Sequence, residues 1–209
     1  MTAATRKTRL GTVLAAAALT VLGATGTAVA QAPAGAEQRT VAVTAAAGVD
    51  YATWDADVRA VVGEARPHIE SRMAQGGQKQ AIVLDIDNTS LETHFHPFPP
   101  TPAVAPVLDL ARYAHDRGVA VFFVTARPGI IELVTKANLT HAGYPVTGLY
   151  QRSLSDLFGS TGEYKAAKRA DIEAKGYTII ANIGNNATDF EGGHSERDVK
   201  LPNYDGQLS

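Results

Sequence analysis

The stretch AIVLDIDNTSLET places Asp85 and Asp87 one residue apart at the end of an apolar run. Two carboxylates held that close repel. The cost becomes tolerable where a hard divalent cation lies between them, and Mg²⁺ favours one or two carboxylates together with phosphate oxygens and water. A carboxylate can also act as a nucleophile, forming an acyl phosphate that water later hydrolyses. A second acid beside it can protonate the leaving oxygen and activate that water. Such chemistry gathers negative charge, so donors and cations must surround the reacting group. Thr125 closes the apolar run VAVFFVT, and the N–H groups of Ala126 and Arg127 follow it. Pro128 is read as the first residue of the next helix, whose N-terminus would favour an anion. Read alone, Thr125 serves equally as an ordinary helix cap. Lys165 is a candidate cation, with Lys168 as its competitor and Arg169 on the same helix face four residues on. Asn185 and Asp189 follow the last apolar run.

These residues are positioned by alternating elements. Trp54, Val58, Val61, Val62, Ala65 and Ile69 recur at helical spacing, with Pro67 as a possible break. A strand follows over about 80–86, then a helix closing at Gly118, the strand VAVFFVT, and a helix running from Pro128 to just before Gly143. VTGLYQR is a short strand, TGEYKAAKRADIEAKG a helix closed by Gly176, and YTIIANIG a further buried strand. Continuously apolar strands separated by helices predict an α/β fold with a mainly parallel sheet covered on both faces. Ligands of such sheets bind beyond the C-terminal strand ends, where Asp85, Asp87, Thr125, Asn185 and Asp189 all fall. The segment after Gly193 lacks periodicity and reads as loop and tail.

The composition is 45% hydrophobic and 19% charged over 209 residues, which suits one globular domain. A formal net charge of −2, with no dense basic run, gives no support for a nucleic-acid partner. Arg6, Lys7 and Arg9 precede the apolar stretch LGTVLAAAALTVLG, and Ala28-Val29-Ala30 fits a cleavage site. Residues 1–30 therefore read as a signal peptide, with secretion as the expected destination and a mature chain from near Gln31. The alternative, a membrane anchor, is disfavoured by the short apolar span. Residues 31–48 read as a lead-in and 49–209 as the working domain. With no cysteine, an exported domain must rely on its core or a bound metal.

DIDNT, FFVTARP, YKAAKR and NIGNNATDFEGG resemble, in order and spacing, the four motifs of the haloacid dehalogenase (HAD) superfamily, and in particular its secreted acid phosphatases. That group includes bacterial non-specific acid phosphatases and plant vegetative storage proteins. The resemblance implies a three-layer α/β/α Rossmann-like fold without a large cap domain, and a Mg²⁺-dependent phosphatase acting on small phosphomonoesters. It implies Asp85 as nucleophile and Asp87 as acid/base, with Thr125, Ala126, Arg127 and Lys165 on the phosphate. It further implies Asp85, Asp87, Asn185 and Asp189 around the metal, Asp87 through its main-chain carbonyl. Dehalogenases lack the second aspartate, so the intact pair points to phosphoryl chemistry.

The departure is Asn185, where the family pattern has aspartate; a neutral amide oxygen is a weaker partner for a hard cation, so weaker metal binding is expected. A binding or storage protein on the same fold, and phosphotransfer to an alcohol, are the competing readings. The short intervals between motifs predict an open site, partly roofed by N-terminal helices. His94 and His96 are candidates for its mouth, read first as loop histidines, and His194 for an approach from the tail.

Overall fold

The computed structural model describes residues 48–208. The signal-peptide segment, and all of the 31–48 lead-in except its last residue, lie outside the described residues. The elements are α1 (Tyr51–Gln75), β1 (Lys79–Leu84), α2 (Ala105–His115), β2 (Ala120–Pro128), α3 (Glu132–His141), β3 (Gly148–Arg152), α4 (Thr161–Ala174), β4 (Tyr177–Gly184) and β5 (Asp198–Lys200). The sheet is parallel throughout, in the order β3-β2-β1-β4-β5. Chain order reverses between β1 and β4, which opens a crevice beyond their C-terminal ends.

Two cores cover the sheet. Trp54, Val58 and Ile69 of α1, Val107 and Leu110 of α2, and Leu139 of α3 pack with Ile82, Leu84, Val121 and Phe123 on one face. Tyr164 and Ile172 of α4 pack with Ala81, Val83, Phe122 and Val124 on the other. The three-layer α/β/α architecture follows from strands apolar on both faces. Only a loop joins β1 to α2, so no cap domain is inserted there.

Four local expectations change. Pro67 does not break α1, which runs through it from Tyr51 to Gln75 with Pro67 on an exposed position. α1 does not roof the site. It packs on α2, β4 and β5, and its first turn docks on the loop after β1, with Trp54 5.0 Å from Phe95 and Tyr51 Oη donating to Glu92 at 2.9 Å. Pro128 does not start a helix. It ends β2 opposite Arg152, a position where a missing N–H costs little, and α3 begins only at Glu132 after a 3₁₀ turn over Gly129–Ile131. Finally, the segment read as tail supplies β5, whose three residues are too short for a periodic signal. Gly143 and Gly176, past the ends of α3 and α4, have φ of +93° and +84°, as helix-stopping glycines require.

No described helix is long and apolar enough to cross a membrane.

Candidate active site

β1 delivers Asp85 into the crevice, its N–H donating to the Ile183 carbonyl of β4 at 2.9 Å. The chain then turns tightly: Ser90 and Leu91 both donate to the Ile86 carbonyl, and Ser90 Oγ donates to the Asp85 carbonyl at 2.6 Å. Asn88 takes a φ of +53°, a conformation its short polar side chain tolerates. This turn presents Asp85 and Asp87 together on a cleft of about 520 Å³. Ala126, Arg127 and Lys165 share its lining.

Lys165 lies on the second turn of α4, behind the N-cap of Ser160. It is 3% exposed, and its Nζ donates to Asp85 Oδ1 at 2.7 Å and to Asp189 Oδ1. Burial alone would lower the ammonium's pKa, but the two carboxylates outweigh that and the net direction is upward. Burial pushes the Asp85 carboxyl up to about 7; Lys165 pulls it down, while Asp189 and Asp87 add to the rise. Lys168 is not a site residue: it pairs with Asp171 at 2.9 Å near the surface.

Asp189 lies behind Lys165, outside the cleft lining. Its second oxygen accepts from the Asn186 N–H at 2.8 Å. Gly184 is required beside it, because a Cβ there would collide with the Asp189 carboxylate. Arg169, buried at 1% exposure, braces the same loop by donating to the carbonyls of Gly193 at 2.7 Å, Asp189 at 2.6 Å and Glu191. Five fixed donors suit a guanidinium to gathering carbonyls in this way.

Thr125 is fully buried and does not line the cleft; its Oγ1 accepts from the Arg127 N–H at 3.2 Å. With α3 beginning further along the chain, only a 3₁₀ turn and no α-helix N-terminus follows on Ala126 and Arg127. The Arg127 side chain makes the stronger contribution. Its Nε and Nη2 grip the Asp87 carboxylate at 3.0 and 2.7 Å, a two-pronged pairing that sequence reasoning missed. Asn88, Thr93, Thr161, Asn186 and Thr188 also line the cleft and were not singled out. Their one signal is adjacency to the motifs. Of the histidines, His94 lines the cleft, His96 sits 3.7 Å from Glu92, and His194 pairs with Glu173 at 2.6 Å on the surface.

The charges that line the cleft are Asp85, Asp87, Arg127 and Lys165, two of each sign and already paired. A phosphate dianion entering it gains no net positive charge. The Asp85 carboxylate suits a hard cation that draws its remaining ligands from phosphate and water. A cation would also oppose the effect of burial and hold Asp85 ionised. Asn185 and Asp189 do not offer themselves in the same way. The Asn185 amide nitrogen donates to the Leu208 carbonyl at 2.8 Å, its oxygen accepts from Asn186 Nδ2 at 3.0 Å, and Asp189 is held by Lys165. Among the described residues no group of three or more His, Cys, Asp or Glu side chains is arranged to hold a metal ion.

Known proteins share this fold. The class C acid phosphatase from Bacillus anthracis superposes with a TM-score of 0.61 at 18% identity, covering 74% of this chain and 80% of that one. The same enzyme with tungstate bound gives 0.60 at 18% identity, with the same coverage. No curated protein matches the chain. The family model described as HAD superfamily, subfamily IIIB (acid phosphatase), matches residues 7–97 and 100–207. The chain therefore belongs to the HAD superfamily, subfamily IIIB, and is an acid phosphatase, a hydrolase of phosphoric monoesters.

Proposed function

We propose that this phosphatase works through an aspartyl-phosphate on Asp85, with Mg²⁺ as its cofactor. The observation that carries the reading is the pairing of a buried lysine with Asp85, while Asp87, the second carboxylate of the motif, stands two residues on and lines the same cleft. Lys165 fixes Asp85 Oδ1 and leaves the other oxygen to attack phosphorus. As that O–P bond forms, the ester P–O bond breaks, and Asp87 gives a proton to the departing alcohol oxygen. Asp87 then takes a proton from water, which attacks phosphorus, releases inorganic phosphate and restores Asp85. The Asp85 carboxylate and the Asp87 main-chain carbonyl are the groups that would hold the cation, which would supply charge neutralisation for the phosphoryl oxygens. The tungstate in the Bacillus anthracis structure is an oxyanion of similar shape to phosphate, in keeping with this use of the fold.

Arg127 has two partners in this scheme. An incoming phosphate competes with Asp87 for the guanidinium, and its arrival frees Asp87 for the leaving oxygen. Arg127→Ala is expected to lower kcat/KM by about 10- to 100-fold, the scale of a charged hydrogen bond lost from the transition state. Stability should change by less than about 1 kcal/mol, because the pair is partly solvated. Unchanged kcat/KM would remove Arg127 from the mechanism.

The cofactor assignment is tested by phosphate release from an aryl phosphate before and after chelation, then with Mg²⁺ restored. Chelation should reduce turnover by about 10²-fold and Mg²⁺ should recover it. Full activity in excess chelator would overturn the Mg²⁺ assignment.

A further inference from the structure

The Leu208 carbonyl receives two side-chain amides from opposite sides of the crevice. Asn88 Nδ2, in the turn after β1, donates to it at 2.8 Å, and Asn185 Nδ2, just after β4, donates at the same distance. All three residues are buried, at 4%, 0% and 1% exposure for Asn88, Asn185 and Leu208. The rest of the segment is held on the same side. Leu201 N–H donates to the Gly184 carbonyl at 2.8 Å, Asn203 Nδ2 to Asn186 Oδ1 at 3.3 Å, and Tyr204 Oη to Asp57 at 2.7 Å. Lys200 Nζ donates to the Asn185 carbonyl. The other end of each amide is also engaged. Asn88 Oδ1 accepts from His94 N–H at 2.7 Å, and Asn185 Oδ1 from Asn186 Nδ2 at 3.0 Å.

We propose that segment 201–208 is a brace, clamped at the Leu208 carbonyl by Asn88 and Asn185, that sets the turn bearing Asp87 against the turn bearing Asn186 and Thr188. Asn185 is thereby a positioning residue, and its amide nitrogen is the reason for its type. Aspartate has no donor to offer a carbonyl; at 185 it would set a carboxylate oxygen against the Leu208 oxygen, two acceptors in contact without a proton between them. The departure from the family's acidic pattern and the docked segment are thus two sides of one contact. The brace bears on catalysis because Asn88 directly follows Asp87, and Asn186 and Thr188 line the same cleft.

Asn185→Asp and Asn88→Asp test this, since each keeps the side chain's shape and one acceptor oxygen and exchanges the donor for a carboxylate oxygen. The first measurement is hydrogen–deuterium exchange of metal-free full-length protein over 86–93, 185–190 and 201–208. Each substitution should speed exchange in 201–208 by about tenfold or more, and should also loosen the opposite turn. The double variant should be no faster than the faster single one, because both amides serve one carbonyl. Unchanged exchange of 201–208 in both variants, or a change confined to the substituted turn, would overturn the brace. If one variant does not fold, the other carries the test alone. The second measurement is kinetic and rests on the phosphatase reading, whereas exchange does not, so the two can fail separately. At saturating Mg²⁺ each variant should lose about tenfold in kcat, with KM for an aryl phosphate within about twofold, as expected for misplaced reacting groups. Tighter Mg²⁺ binding by Asn185→Asp with 201–208 still protected would instead make residue 185 a metal ligand and sink the proposal.

Discussion

Asp85→Asn should abolish phosphate release while leaving the protein folded and at least as stable as the wild type. The loss is expected to exceed about 10³-fold in kcat, roughly 4 kcal/mol of barrier, because no other described carboxylate lies where it could replace the nucleophile. Asp87 is turned to Arg127, and Asp189 lies behind Lys165 outside the cleft lining. The stability half of the expectation comes from burial. Asp85 is 6% exposed and its carboxyl is pushed upward, so the fold holds its charge at a cost. Asparagine removes that charge, and its amide oxygen still accepts from Lys165, which keeps Asp189 as its ionic partner. Stability given up to keep a reactive group in place is a common trade at active sites. Parallel assays of aryl phosphate turnover and thermal unfolding of metal-free protein decide it. Wild-type turnover in the variant would remove Asp85 as nucleophile, and a large drop in melting temperature would mean that its charge is structural.

Lys165→Met has the opposite signature, losing stability and activity together. With the ammonium gone, Asp85 and Asp189 remain buried at 6% and 2% exposure with no cation between them. Breaking a buried pair from one side costs about 3–5 kcal/mol. For a domain of this size that lowers the melting temperature by roughly 10 °C. Adding Asp189→Asn to Lys165→Met should recover part of the stability, because it removes one of the two stranded charges, and should recover none of the activity. Arginine is not expected to substitute, since its planar fork is longer and wider than a site built around one Nζ atom. Thermal unfolding of the two variants without metal settles the point. A single variant as stable as wild type would show that Lys165 does not hold the pair together.

Together the two substitutions separate what Asp85 and Lys165 each do. One carries reactivity that the fold tolerates, and the other carries charge balance that the fold needs. Arg127 stands apart from both, since its pair with Asp87 is partly open to solvent and can be exchanged for phosphate.

Much of this was legible in the chain itself. The order of strands and helices follows from apolar runs interrupted at helical spacing, and the stops at Gly143 and Gly176 follow from the backbone conformation those positions adopt. Asp85, Asp87 and Lys165 could be named because their types sit at strand or helix ends, where a parallel sheet gathers its ligands. What could not be read is which partner each side chain takes. Arg127 faces Asp87 across 40 residues, Lys165 faces Asp85 across 80, and Asn88 reaches Leu208 across 120. Nothing local encodes such contacts, because they depend on how the strands align once the sheet has formed. For the same reason β5 and the docked segment 201–208 looked like tail: three strand residues leave no periodic trace, and their place depends on the edge that β4 offers. Asn185 shows the division most clearly. From the sequence it is a weakened metal ligand, a role that the resemblance implies and that a neutral amide would fill less well than aspartate. In the folded protein its amide nitrogen points to a backbone carbonyl, and a hydrogen bond of that kind exists only once distant segments have been brought together.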